Sequence, residues 1–74
     1  MKKLEDFNNK LKTLESKYSE FFESKENNVS SIDECYTIDN ETGVVRLAIR
    51  KDRNIPKDLD KDIVRVFHAV FDQQ

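Results

Sequence analysis

Cys35-Tyr36-Thr37-Ile38-Asp39-Asn40-Glu41-Thr42-Gly43-Val44-Val45-Arg46-Leu47-Ala48-Ile49-Arg50 is the stretch on which the fold turns. Cys35–Ile38 and Val44–Arg50 are rich in β-branched and aromatic residues with a period of two. The polar run Asp39–Gly43 between them supplies the turn, so residues 34–50 are expected to form a β-hairpin. A four-residue loop, Asn40–Gly43, sets Ile38 opposite Val45 and Tyr36 opposite Leu47, with all four side chains on one face. A loop of three or five residues would scatter the apolar side chains over both faces, because a one-residue slip turns a strand over. Gly43 is the sole glycine and fits the positive-φ position that closes the turn. The expected inner face is Tyr36, Ile38, Val45, Leu47 and Ile49. Cys35, Thr37, Val44, Arg46, Ala48 and Arg50 form the outer one.

A two-stranded hairpin is marginal by itself, so the flanking segments must cover it. Upstream, Leu4, Phe7, Leu11, Leu14, Tyr18 and Phe21 follow spacings of three and four without a register change, an a/d heptad seam on one helix over residues 1–26. The seam must dock, either on the rest of the chain or on a second copy, and a second copy is the expected partner. Lys10 at a g position faces Glu15 at an e position in a parallel pair, which slightly favours that arrangement. Asn27 and Asn28 suit a left-handed helix end. Ser31 and Glu34 have capping-box spacing, but a strand follows at once, and Val29–Asp33 reads as a linker. Downstream, Pro56 and the early aspartates Asp58, Asp60 and Asp62 mark the start of a second helix over 56–72. Leu59, Ile63, Val66, Phe67 and Val70 form its apolar stripe. Val64 and Phe71 widen it to an arc of roughly 160° at about 100° per residue, an edge that suits an interface. The expectation is an α+β protein, a single small α-β-β-α domain spanning residues 1–74.

Composition narrows function further. The chain has 74 residues, 38% of them charged, and one cysteine, so no internal disulfide can form. A domain this small needs support from a partner or a second copy. No apolar run reaches the roughly 20 residues of a membrane span, and the acidic, amphipathic start differs from a signal peptide. A cytoplasmic location is expected, in which case the sequons Asn28-Val29-Ser30 and Asn40-Glu41-Thr42 would go unglycosylated.

The usual chemical signatures fail one by one. Cys35 and His68 occur once each with no spacing that makes a nucleophilic pair. Asp58-Leu59-Asp60-Lys61-Asp62 imitates a calcium loop, but Ile63 stands where the sharp-turn glycine belongs and Ala69 where the bidentate glutamate belongs. One glycine cannot make a phosphate-binding loop. Neither an enzyme nor a cofactor, metal or small-molecule substrate is expected.

Two charged patches remain, because the net charge of −2 is unevenly spread. Residues 1–45 carry six Lys and ten Asp or Glu, a net of −4, and residues 46–74 carry seven Lys or Arg and five Asp, a net of +2. Glu20, Glu23, Glu26, Asp33 and Glu34, with Glu15 upstream, could occupy a basic surface on another protein by imitating a nucleic acid. Arg46, Arg50, Lys51 and Arg53, followed by Lys57, could instead hold phosphates as a basic ribbon. The overall acidity and the lack of an outer-face aromatic argue against direct nucleic-acid binding. The reading is a non-catalytic protein-interaction module, a homodimer through Leu4, Phe7, Leu11, Leu14, Tyr18, Phe21, Val64 and Phe71, that binds and modulates another macromolecule. A basic nucleic-acid-binding protein is the expected target, and a small DNA- or RNA-binding regulator is the alternative.

Overall fold

The computed structural model describes residues 2–72. Helix α1 (Lys2–Lys17) is followed by a short helix α2 (Ser19–Glu23), an antiparallel hairpin of β1 (Tyr36–Asp39) and β2 (Arg46–Ile49), and helix α3 (Lys57–Phe71). The α-β-β-α order and the mixed class are as the sequence implies. One core unites Phe7, Leu11, Phe22, Val29, Ile32, Cys35, Tyr36, Leu59, Ile63, Phe67 and Val70.

The heptad seam is used inside the chain. Phe7 and Leu11 have no exposed surface, and neither do Leu59 and Ile63 of α3. Phe7 meets Phe67 and Phe71 of α3 edge-on, with ring centroids 5.8 and 5.9 Å apart, and Tyr36 of β1 at 5.5 Å. Edge-to-face contacts suit the ring quadrupoles. The broad stripe of α3 thus receives α1, and of the two dockings open to the seam Phe7 and Leu11 take the one on the rest of the chain. Among the described residues Val44, at 57%, is the one large apolar side chain left exposed.

The expected single N-terminal helix also breaks. Tyr18 leaves helical geometry at φ −110° and ψ 35°, although the sequence there contains neither Gly nor Pro. The break turns α2 so that Phe22, which lies outside the a/d seam, is buried, while Phe21 of the seam is only half-buried. Burial of a phenylalanine contributes roughly 1.5–3 kcal/mol, enough to offset one interrupted helical turn. The Tyr18 hydroxyl donates a 2.8 Å hydrogen bond to Asp62 on α3, which pins the break. A 3-10 turn over Lys25–Asn27 then ends with Asn28 in the left-handed region at φ 54°, as its side chain suits.

The segment expected to be a linker is built. Ser31 and Glu34 form a complete capping box around a 3-10 turn, Ile32–Glu34. The turn drives Ile32 into the core, and Val29 just before it is buried too. It also sets the hairpin register. The observed pairs are Tyr36 with Ile49, Ile38 with Leu47 and Asp39 with Arg46, leaving a six-residue connection, Asn40–Val45. The four-residue loop would have set Ile49 opposite Glu34 and Arg50 opposite Asp33, residues already folded into the capped turn. Sliding by two keeps every apolar side chain on its face and gives Ile49 and Arg50 strand partners. The Arg50 amide accordingly donates to the Cys35 carbonyl at 2.8 Å. Val45 moves from the ladder into the loop. Gly43 has the positive φ expected, 82°, and its amide closes a turn on the Asn40 carbonyl at 3.1 Å. Cys35, expected on the outer strand face, precedes β1 and is fully buried. Pro56 flanks α3 rather than opening it.

Phe7→Ala should cost about 3–5 kcal/mol, the usual range for a large aromatic removed from a core. Ser31→Ala should cost about 1 kcal/mol through loss of a cap. Both are read from urea unfolding midpoints, which at high salt should not depend on protein concentration, because the seam is intramolecular. A midpoint that rises with concentration would restore the seam dimer.

Candidate functional site

The acidic residues collect along one trough. Its walls are the flank of α1 and α2 on one side and Asn28–Tyr36 on the other. Three adjoining depressions make it, joined at Lys12 and Glu15 and again at Phe22, Glu23 and Ser30. Glu15 comes from α1, Glu23 from α2, and Asp33 and Glu34 from the capped turn. With Lys12 and Lys25 also lining it, the trough carries four carboxylates against two ammonium groups, a net of −2. Sequence distance hid this grouping, since residues 15 and 33 meet only once α1 docks and Ser31 caps the turn.

The carboxylates differ in role. Glu34 is held by the fold, accepting hydrogen bonds from the Ser30 amide at 2.9 Å, the Ser30 hydroxyl at 2.8 Å and the Ser31 amide at 3.0 Å. Those donors hold its carboxyl below the usual carboxylate range. Asp33 accepts from the Ser31 hydroxyl. Among the described residues Glu15, Glu23 and Asp33 take part in no ion pair. Of the residues expected to bind a partner, Glu23, Asp33 and Glu34 line the trough, whereas Glu20 and Glu26 are exposed outside its lining. Glu15, the upstream end of the acidic run in the sequence, lines the trough as well.

Cys35 reports the field of this cluster. Burial pushes its thiol up to about 11, and the nearby Glu34, Asp33 and Glu15 carboxylates push the same way. A thiol so held stays protonated near neutral pH and is a poor nucleophile. Its place in the core and its raised pKa make it packing material. His68 is exposed on α3 and bonded to Asp72 one turn on.

The basic patch is largely tied up internally. Arg50 pairs with Asp52 at 3.1 Å, Lys51 lies 3.8 Å from Asp60, and Arg53 lies 3.8 Å from Asp52. Arg53 also donates to the Asn28 carbonyl at 3.4 Å, bridging the turn before α3 to the left-handed end of the N-terminal element. Its Nε is buried with no hydrogen-bond partner. Arg46 and Lys57 remain exposed.

Of the expected dimer residues, Leu14, Tyr18, Phe21 and Phe71 pack at the edge of the core. Leu4 is half-buried on α1, and Val64 borders an open, mainly apolar depression on α3. Sequence reading placed Asp62 near the start of the second helix and missed its contacts. It accepts from Tyr18 at 2.8 Å and Lys17 at 3.1 Å, and Arg65 approaches at 3.3 Å. The Tyr18 bond, then the Lys17 bond, hold its carboxyl below the usual range.

Among the described residues no three His, Cys, Asp or Glu side chains group as metal ligands, and no helix is long and apolar enough to cross a membrane. No family model, curated protein or solved structure matches the chain.

The Tyr18–Asp62 bond gives a pH signature. The Tyr18 phenol is raised from 10.0 to about 12, chiefly by its bond to Asp62. A group raised by folding stabilises fully below its unfolded pKa and loses that contribution as pH climbs through the folded one. Stability should therefore decline from about pH 10 to 12, and Tyr18→Phe should flatten that decline without abolishing it, because burial raises Tyr36 as well. Asp62, depressed by folding, adds the mirror effect: its contribution is present above the ordinary carboxylate pKa and fades on acidification through the lower folded value. Urea midpoints across both limbs, with tyrosinate absorbance for the alkaline one, check both signs. Equal alkaline slopes in wild type and Tyr18→Phe would show that the bond does not form.

Proposed function

We propose that this chain is a non-catalytic protein-binding module whose acidic trough receives a cationic surface, that of a basic nucleic-acid-binding protein being the best match in charge. The observation that carries the reading is the convergence of Glu15, Glu23, Asp33 and Glu34 from three separate segments, all four without an ion-pair partner among the described residues. Surface carboxylates spaced along a groove offer a cationic partner what a phosphate backbone offers. Such complementarity acts mainly on encounter rate and partner choice. The apolar lining, Phe22 and Ile32 with the edge of Tyr36, provides a floor against which the stems of Lys or Arg side chains can lie.

Direct nucleic-acid binding through the hairpin has weaker support. Asp52 and Asp60 lie beside Arg50, Lys51 and Arg53, so phosphates would compete with carboxylates already in place. A seam homodimer is no part of the proposal, since Phe7 and Leu11 have no surface to offer a second copy.

The test is capture by immobilised protein from a nuclease-treated lysate of its source, comparing wild type with Glu15→Lys/Glu23→Lys/Asp33→Lys. Wild type should retain a stoichiometric basic protein that heparin elutes, and the triple variant should lose it by at least roughly tenfold, the effect of reversing several complementary charges. Equal capture by the variant, or recovery of nucleic acid alone once nuclease is omitted, would overturn the reading.

A further inference from the structure

The outer face of α3 carries the opposite charge. Lys57, Lys61 and Arg65 fall within an arc of about 80° at about 100° per residue, with the His68 ring between them, and all four side chains are exposed. Their arc is centred about 200° from Leu59, Ile63, Phe67 and Val70, the stripe that docks on the core, so the ridge faces away from the rest of the chain. Beside it, Val64 lies in an open, mainly apolar depression bordered by Lys61, Arg65, His68 and Asp60. Asp58, beside Arg65, is exposed and among the described residues takes part in no ion pair, whereas the other nearby carboxylates have neighbours of their own. Asp60 lies 3.8 Å from Lys51, Asp62 is engaged by Tyr18, Lys17 and Arg65, and Asp72 is bonded to His68. Among the described residues Lys57 and Lys61 take part in no ion pair.

We infer that the occupant of this face is a second copy of the chain: the cationic ridge of α3, with Val64 at its edge, lies in the acidic trough of the next molecule. Both surfaces have an apolar floor and a charged rim, and the rims are opposite in sign. The arrangement is a helix in a groove. Ridge and trough are different patches, so the contact is heterologous and repeats head to tail instead of closing as a two-fold dimer. It occupies the trough that the proposed target would use, so self-association and target binding exclude each other. The inference rests on the trough being a docking surface, but it requires no target.

Sedimentation velocity on the full chain tests it with two terminator variants, Lys61→Ala/Arg65→Ala and Glu15→Ala/Glu23→Ala. Wild type should form oligomers that grow with concentration at low salt and dissociate in about 1 M salt, where the Debye length falls to about 3 Å. Each variant alone should be monomeric, since each lacks one half of the contact. An equimolar mixture should give one-to-one dimers that grow no further, because the ridge of one variant still fits the trough of the other. Wild type that stays monomeric at low salt overturns the inference. So does a mixture that stays monomeric, or a variant that still associates by itself. Lys61→Ala/Arg65→Ala keeps the trough, so target capture by that variant reports on the proposed function separately.

Discussion

The packing of Phe7 is the contact on which the rest of the structure depends. One ring touches Phe67 and Phe71 of α3 and Tyr36 of β1, so it joins the helix pair to the hairpin at a single point. Neither partner stands well without the other. A two-stranded hairpin is marginal in water, and helices of this length draw their stability from a buried face rather than from propensity. With 74 residues and little apolar material, the chain cannot supply both a core and a hydrophobic dimer seam. The core takes Phe7 and Leu11 of the seam, and the proposed contacts with other molecules use charged surfaces with small apolar floors.

Glu34 links that architecture to the trough. Its carboxylate satisfies the Ser30 and Ser31 amides, which fixes the turn, and the turn in turn stops β1 from extending and shifts the hairpin by two residues. The same turn presents Asp33 beside Glu15 of α1. A substitution at Glu34 therefore changes both charge and geometry, and one at Asp33 also removes an acceptor of the Ser31 hydroxyl, whereas Glu15 and Glu23 report on charge alone. The distinction matters whenever the acidic face is altered, because loss of binding at Glu34 by itself would not separate a missing carboxylate from a misplaced wall.

Much of the fold was legible because it depends on local periodicity. The alternation in Tyr36–Ile49 gave the hairpin and its faces, the spacing of Leu59, Ile63, Phe67 and Val70 gave α3, and Gly43 and Asn28 gave two positive-φ positions. What was hidden depended on distant partners. The spacing of Leu14, Tyr18 and Phe21 is as good for a straight helix as for a broken one, and the choice is made by Phe22 finding the core and Tyr18 finding Asp62. Hairpin parity restricts the loop to an even number of residues without choosing between four and six. That choice belongs to the capped turn, which the Ser31–Glu34 spacing did signal and which only the burial of Ile32 makes decisive. The trough was half legible: Glu15, Glu23, Asp33 and Glu34 could be gathered from sequence within the acidic run, but setting Glu20 and Glu26 aside required knowing where α1 docks.

The pairing of charges therefore says more about this surface than their number. By sequence the basic stretch Arg46–Arg53 and the acidic stretch Glu15–Glu34 have similar claims to a partner. In the folded chain Arg50 and Arg53 share Asp52, Lys51 lies near Asp60, and Arg53 is half built into the turn that it braces. Phosphates would have to displace carboxylates already at hand, and exposed pairs of this kind, though each contributes only about 0–1 kcal/mol to stability, lower the local potential that would steer a polyanion. Glu15, Glu23 and Asp33 face no such competitor. Their field already reaches inward, since the carboxylates of the cluster help keep the Cys35 thiol protonated, and on the open side of the trough it is met only by Lys12 and Lys25. The uncompensated potential of the trough is therefore what the proposed binding rests on, whether the cations arrive on another protein or on the outer ridge of α3.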